Sequence, residues 1–140
     1  MRLQLALNVD DLDTAIDFYT KMFDTPPAKV RDGYANFAIE NPPLKLVLFE
    51  GAGEAGSINH LGVEVDTAED VTAAEARLST CGLQTTGVDE TVCCYAEKAE
   101  TWVHAPDGNR WEWYVKRADA DQLDNVVVAR LSEPTTTCCP

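Results

Sequence analysis

The chain has 140 residues, 45% hydrophobic and 25% charged, a composition typical of a globular protein with one domain. Its formal net charge of −13 at pH 7 argues against nucleic acid and anionic membrane surfaces as partners. No apolar run is long enough to span a membrane and the first residues are too polar for a signal peptide, so we predict a cytoplasmic protein with mostly reduced cysteines.

The first half of the sequence predicts one strand, one helix and three further strands. Alternation over 3–9 is typical of a strand with its leucines on a packed face and Gln4 on an open face. Apolar residues at helical spacing over 12–23 predict the helix. Three extended runs follow, at 28–32, 33–40 and 44–50. The glycine-rich stretch 51–58 is predicted to be a linker.

The second half repeats this order. NHLGVEVD (59–66) is similar to LQLALNVD (3–10), and a helix is predicted from Thr67 to a glycine cap at Gly82. Extended segments follow, around 91–97, 100–104 and 109–116. The repeat therefore predicts an α+β fold in a single domain (1–117) of two similar modules, 1–50 and 59–117.

The tail from 118 to 140 is rich in Asp, Ser, Glu, Thr and Pro, and we expect it to be largely mobile. Its VVVARL run (126–131) is the exception, and the alternative is that this run adds a strand or docks on a partner. The predicted oligomeric state is a monomer or a homodimer.

The repeat also places three candidate metal ligands on related strands. His60 occupies the position of Gln4, and alternation in 109–115 puts Glu112 on an open face, opposite two packed tryptophans. If the modules pair around a cleft, these three residues converge, and an imidazole, a carboxylate and an amide oxygen suit Fe, Mn, Ni or Zn. A polar surface position is the alternative for Gln4 and His60, and it is the expectation for His104.

Cys93 and Cys94 are adjacent, and neighbours on a flat strand point to opposite faces. If the backbone bends there, the two thiols form a bidentate soft site suited to trivalent arsenic or Cd(II). Lys98 would lower a thiol pKa there, against the nearby acidic residues. The alternative is that both cysteines are small buried hydrophobic residues.

A second adjacent pair, Cys138 and Cys139, lies in the polar tail, where no core is expected to need filling. This second pair favours thiol chemistry over packing. Cys81, at the end of the second predicted helix, is expected to be structural.

Together these segments resemble the ArsI-type carbon–arsenic lyases and the cadmium-induced proteins of the vicinal oxygen chelate (glyoxalase/bleomycin-resistance/extradiol dioxygenase) superfamily. The resemblance extends in order from about residue 2 to residue 117. It is carried by LNVDDLDTAIDFYTKMF, GYANFAIENPPLKLVLFE, NHLGVEVD, TVCCYAEKAETWV and PDGNRWEWY. It implies the vicinal oxygen chelate fold, in which two βαβββ modules form a cleft.

The resemblance also implies a function, namely the Fe(II)- and O2-dependent cleavage of the carbon–arsenic bond of trivalent organoarsenicals, with release of arsenite. Cys93 and Cys94 would then be the catalytic thiols that bind the arsenic, and Gln4, His60 and Glu112 would bind the iron. Many relatives have histidine where this chain has Gln4, and Ni, Mn or Zn are the alternative metals. The alternative functions are a non-catalytic cadmium- or arsenic-binding protein, and another enzyme of the superfamily such as a dioxygenase or isomerase.

Overall fold

The computed structural model describes residues 1–135, so the predicted thiol pair Cys138–Cys139 lies outside the described residues. The described part contains two helices, α1 (Leu12–Phe23) and α2 (Ala68–Thr80). Its nine strands are β1 (Arg2–Val9), β2 (Lys29–Arg31), β3 (Tyr34–Ile39), β4 (Leu44–Glu50), β5 (Ile58–Glu64), β6 (Asp89–Cys93), β7 (Ala96–His104), β8 (Arg110–Asp119) and β9 (Val126–Arg130). None of the helices in residues 1–135 is both long and apolar enough to cross a membrane.

The chain forms two compact units, residues 2–62 and residues 63–135 together with Met1. The boundary falls inside β5, so His60 belongs to the first unit although the sequence assigns it to the second module. The predicted module limits, 1–50 and 59–117, stay predictions.

In the first unit the strand order is β2-β3-β4-β1-β5, with β1 parallel to β4 and the β2–β3 and β3–β4 pairs antiparallel. The predicted helix is confirmed as α1, whose first turn is capped by the Asp11 carboxylate accepting from the Thr14 N–H. Helix α1 packs on one face of this sheet through Leu12, which joins the buried cluster around Phe37 and Leu48.

The alternation of β1 is as predicted, but the face predicted to be open is buried. Leu3 is 56% exposed and Gln4 only 3%, while Leu5, Leu7 and Val9 pack against the α1 cluster. The buried Gln4 amide has a hydrogen-bond partner, because its Nε2 lies 3.1 Å from Nε2 of the His60 imidazole.

In the second unit, β8, β7, β6 and β9 lie side by side in this order, each antiparallel to its neighbour. Helix α2 covers one face, where Val71 packs with Val88, Ala99 and Val115. The second predicted helix is confirmed, and Gly82 follows it with φ +85°.

The structure corrects two predictions about extended segments. The predicted strand 91–97 is interrupted, since β6 ends at Cys93, β7 begins at Ala96, and the two residues between form a turn. The tail is not mobile as a whole, because β8 continues to Asp119 and Val126–Arg130 forms β9 on β6. The alternative prediction of a strand in VVVARL is confirmed.

Candidate functional site

Gln4 and His60 lie side by side in the first unit, on the neighbouring strands β1 and β5. Their Nε2 atoms are 3.1 Å apart, and both side chains are buried. The structure therefore brings together two of the three residues predicted to bind a metal.

A chain of hydrogen bonds fixes the tautomer of His60. Its Nδ1 lies 2.8 Å from Asn59 Oδ1, and Asn59 Nδ2 in turn donates to Asn8 Oδ1 over 3.0 Å. Because an amide oxygen only accepts, Nδ1 carries the proton and Nε2 keeps its lone pair, which is the form a metal ligand needs. Asn8 is held by donation to Ser57 Oγ over 2.9 Å. Sequence analysis missed Asn59, although its position directly before a candidate ligand was the available signal.

Glu112 lies in the second unit, on β8, where it is buried together with Lys98 of β7. Lys98 Nζ is 3.3 Å from Oε2 and 3.4 Å from Oε1 of Glu112, and it also lies 4.8 Å from the centre of the Tyr114 ring. The face predicted to be open is thus buried here as well. Burial alone would lower the pKa of Lys98, but Glu112 and then the two nearby thiols raise it above its ordinary value.

Cys93 and Cys94 have their Sγ atoms 2.9 Å apart, and neither forms a disulfide. Cys94 and Tyr95 have φ of 55° and 61°, as in the two-residue hairpin turn of type I′. The backbone bend that a bidentate soft site requires is therefore present at this pair. The hydrogen bond with Cys94 and, next in size, burial raise the pKa of the Cys93 thiol. Lys98 lowers this pKa, as predicted, but its effect is smaller than those two.

The backbone of this turn is hydrogen bonded to a segment that sequence analysis assigned to the mobile tail. The N–H of Cys94 donates to the Leu123 carbonyl over 2.9 Å, and the N–H of Tyr95 donates to the Gln122 carbonyl over 2.8 Å. The Tyr95 carbonyl accepts from the N–H of Ala120 over 2.9 Å. Backbone contacts of this kind leave no signal in side-chain patterns, which is why they were missed.

Glu100 of β7 is a further buried carboxyl group in the second unit. Its Oε1 accepts from Asn125 Nδ2 over 3.2 Å, while its Oε2 has no hydrogen-bond partner within the described residues. Burial, followed by the negative charge of Glu112, raises the pKa of Glu100 to about 7, although Lys98 opposes this.

Glu100→Gln is expected to stabilise the metal-free protein at pH 8 by roughly 1–3 kcal/mol and to have little effect at pH 5. The folded-state pKa of Glu100 lies above its ordinary value of 4.5, so the folded protein keeps a proton that the unfolded chain has already lost. Its contribution therefore becomes unfavourable as the pH rises from about 4.5 to 7. Urea unfolding at both pH values measures this, with the exposed Glu97→Gln as control. An equal effect of Glu100→Gln at both pH values would contradict the assignment.

The predicted ligands Gln4, His60 and Glu112 fit a divalent metal by the chemistry of their donor atoms. Within residues 1–135 there is no group of three or more His, Cys, Asp or Glu side chains that could hold a metal ion. A metal would have His60 Nε2, the Gln4 oxygen once the amide turns, and an ionised carboxylate from Glu112, a donor set suited to Fe, Mn, Ni or Zn. That Glu112 joins the other two residues stays a prediction. His104 is exposed, as expected.

The family model of the Glyoxalase/Bleomycin resistance protein/Dioxygenase superfamily matches residues 3–113. The chain is 56% identical over 123 residues to the trivalent organoarsenical cleaving enzyme of Thermomonospora curvata, covering 87% of this chain and 82% of that protein. It is 53% identical over 120 residues to the cadmium-induced protein CadI of Mycobacterium tuberculosis, covering 86% and 79% respectively. The Mn(II)-bound glyoxalase of Novosphingobium aromaticivorans aligns with a TM-score of 0.62 over 86% of this chain and 40% of that chain, and at 18% identity this supports the fold alone.

Proposed function

Since the chain belongs to the glyoxalase/bleomycin resistance protein/dioxygenase superfamily, within its organoarsenical-cleaving and cadmium-induced group, we propose that it cleaves the carbon–arsenic bond of trivalent organoarsenicals and releases arsenite. The proposed substrates are methylarsenite and aromatic arsenicals, with Fe(II) as metal and O2 as co-substrate. The observation that carries this proposal is the pair of adjacent reduced cysteines with their Sγ atoms 2.9 Å apart. Dioxygenases and isomerases that bind their substrate through the metal have no use for such a pair.

Cys93 and Cys94 are the proposed arsenic ligands. A trivalent organoarsenical carries its organic group and two hydroxyl groups on arsenic, so two thiols can replace both hydroxyls while the carbon stays attached. Each thiol forms one As–S bond, and its proton leaves with the displaced hydroxyl as water. The clamp fixes the substrate by its arsenic, and orientation of this kind lowers the barrier to the next step.

Gln4, His60 and Glu112 are the proposed metal ligands. Bound Fe(II) would supply the site at which O2 is activated. The chain's own residues prepare that site: Asn59 keeps His60 Nε2 free of a proton, and Lys98 forms a buried ion pair of 3.3 Å with Glu112. The cytoplasmic location and the oligomeric state stay predictions.

The test is to load the protein with Fe(II) under anaerobic conditions, add methylarsenite with or without O2, and measure inorganic arsenite. We expect release only when Fe(II) and O2 are both present. Glu112→Ala should abolish release but keep arsenical binding. Absence of oxygen-dependent release from fully loaded protein would contradict the lyase function.

The similarity to a cadmium-induced protein favours one second candidate, a non-catalytic binder of soft metals. Such a protein needs the thiols of Cys93 and Cys94 but not the carboxylate of Glu112. If Glu112→Ala leaves cellular protection against methylarsenite unchanged, this second candidate replaces the first.

A further inference from the structure

The hairpin turn that joins β6 to β7 has an unfavourable sequence for its conformation. Turns with two consecutive residues at positive φ favour Asn-Gly, because a side chain with Cβ is strained there. This turn instead has Cys94 and Tyr95, at φ 55° and 61°. Residues in such conformations persist where the surrounding structure holds them in place.

The structure that holds this turn is a C-terminal segment, residues 120–130, here called the strap. Its first part makes the three backbone hydrogen bonds to the turn, through Ala120, Gln122 and Leu123. These bonds use the N–H groups of both turn residues and the carbonyl of Tyr95.

The remainder of the strap is anchored on β6 and β7. Strand β9 pairs with β6, and Arg130 Nε donates to Asp89 Oδ1 over 3.0 Å. Asn125 donates to Glu100 of β7. The chain beyond β9 also lies close to Gly87, where an added Cβ would clash with the Ser132 carbonyl oxygen. The strap is therefore attached to β6, β7 and the turn at several points, by hydrogen bonds and strand pairing.

We propose that the strap positions the Cys93 and Cys94 thiols for bidentate binding of a trivalent arsenical. This inference rests on the proposed role of the two cysteines as arsenic ligands. If Cys94 relaxes to an extended conformation, its side chain turns to the face opposite Cys93, as neighbours on a strand do. A single arsenic atom then bonds to only one of the two thiols. The strap thus determines whether the pair acts as a chelate.

Binding is measured with phenylarsine oxide, without iron and without O2, so the result does not depend on carbon–arsenic cleavage. The parent chain for this test carries Cys81→Ser, Cys138→Ser and Cys139→Ser, which leaves Cys93 and Cys94 as the remaining two of the five cysteines. Iodoacetamide, which reacts with one thiol at a time, serves as the comparison probe.

Two variants release the strap. Ala120→Pro removes the N–H that donates to Tyr95, and Arg130→Ala removes the anchor on Asp89. We expect each to weaken phenylarsine oxide binding about 10-fold or more, without slowing alkylation by iodoacetamide. Tyr95→Gly in the Ala120→Pro chain should restore much of the affinity, because glycine takes a positive φ without strain.

Val71→Ala is the control for general loss of stability, since Val71 is buried in the α2 cluster, among whose members no strap residue is found. It should lower the melting temperature and leave phenylarsine oxide affinity unchanged. The positioning role is wrong if Ala120→Pro and Arg130→Ala bind as tightly as the parent, or if Val71→Ala weakens binding equally. It is also wrong if Tyr95→Gly restores nothing.

Discussion

Lys98→Met is expected to lower the free energy of unfolding of the metal-free protein by about 3–5 kcal/mol at pH 7. The Lys98 side chain is 3% exposed and that of Glu112 1% exposed, with 3.3 Å between Nζ and Oε2. Removing the ammonium group leaves the Glu112 carboxylate buried without this ion pair, and the cost of an uncompensated buried charge is large. Denaturant unfolding monitored by tryptophan fluorescence provides the measurement.

The chain contains a matched control for this prediction in Lys116, which faces Lys98 across the β7–β8 ladder. Its side chain is 35% exposed and forms an ion pair of 2.6 Å with Asp119, so Lys116→Met should cost less than about 1 kcal/mol. Adding Glu112→Gln to Lys98→Met should recover most of the stability, because it removes the negative charge of the buried Glu112 carboxylate. Equal losses of unfolding free energy in Lys98→Met and Lys116→Met would show that the buried ion pair stabilises the protein no more than the exposed one.

The pH dependence of this effect has a defined sign. Because the partners of Lys98 raise its pKa, its contribution is fully present at neutral pH and is lost only as the pH rises through the folded-state pKa in strongly alkaline solution.

The helices and most strands were predictable from the sequence because their signals are local. Alternation identified β1 and β8, and helical spacing with a cap identified α1 and α2. What covers each face was not predictable from these patterns. Gln4 and Glu112 were assigned to open faces, yet each is buried beside a residue distant in sequence, His60 and Lys98 respectively.

The candidate site shows the same division between local and non-local information. The adjacency of Cys93 and Cys94 pointed to a soft ligand site, and the requirement for a bend followed from strand geometry. The residues of the bend form backbone hydrogen bonds with residues 120–123, which lie well over 20 positions further along the chain. Such contacts do not depend on side-chain type, so composition suggested a mobile tail where the structure has an ordered strap.

Cys93→Ser is expected to weaken the binding of phenylarsine oxide by about 100-fold to 10,000-fold. With both thiols present and their Sγ atoms 2.9 Å apart, the second As–S bond forms within the complex, at a high effective concentration. Serine removes that second bond and leaves single-thiol binding. The measurement is a titration in the parent chain that lacks the other three cysteines, so no other thiol contributes.

Cys94→Ser should have a similar effect, because a chelate loses its advantage when either ligand is removed. The double variant should lose binding altogether, because each single variant still forms one As–S bond and the double variant can form none. Glu112→Ala is the complementary case, with arsenical affinity retained and arsenite release abolished. If Cys93→Ser binds phenylarsine oxide as tightly as the parent, the arsenic is held elsewhere, and the thiol clamp on which the proposed lyase function depends is wrong.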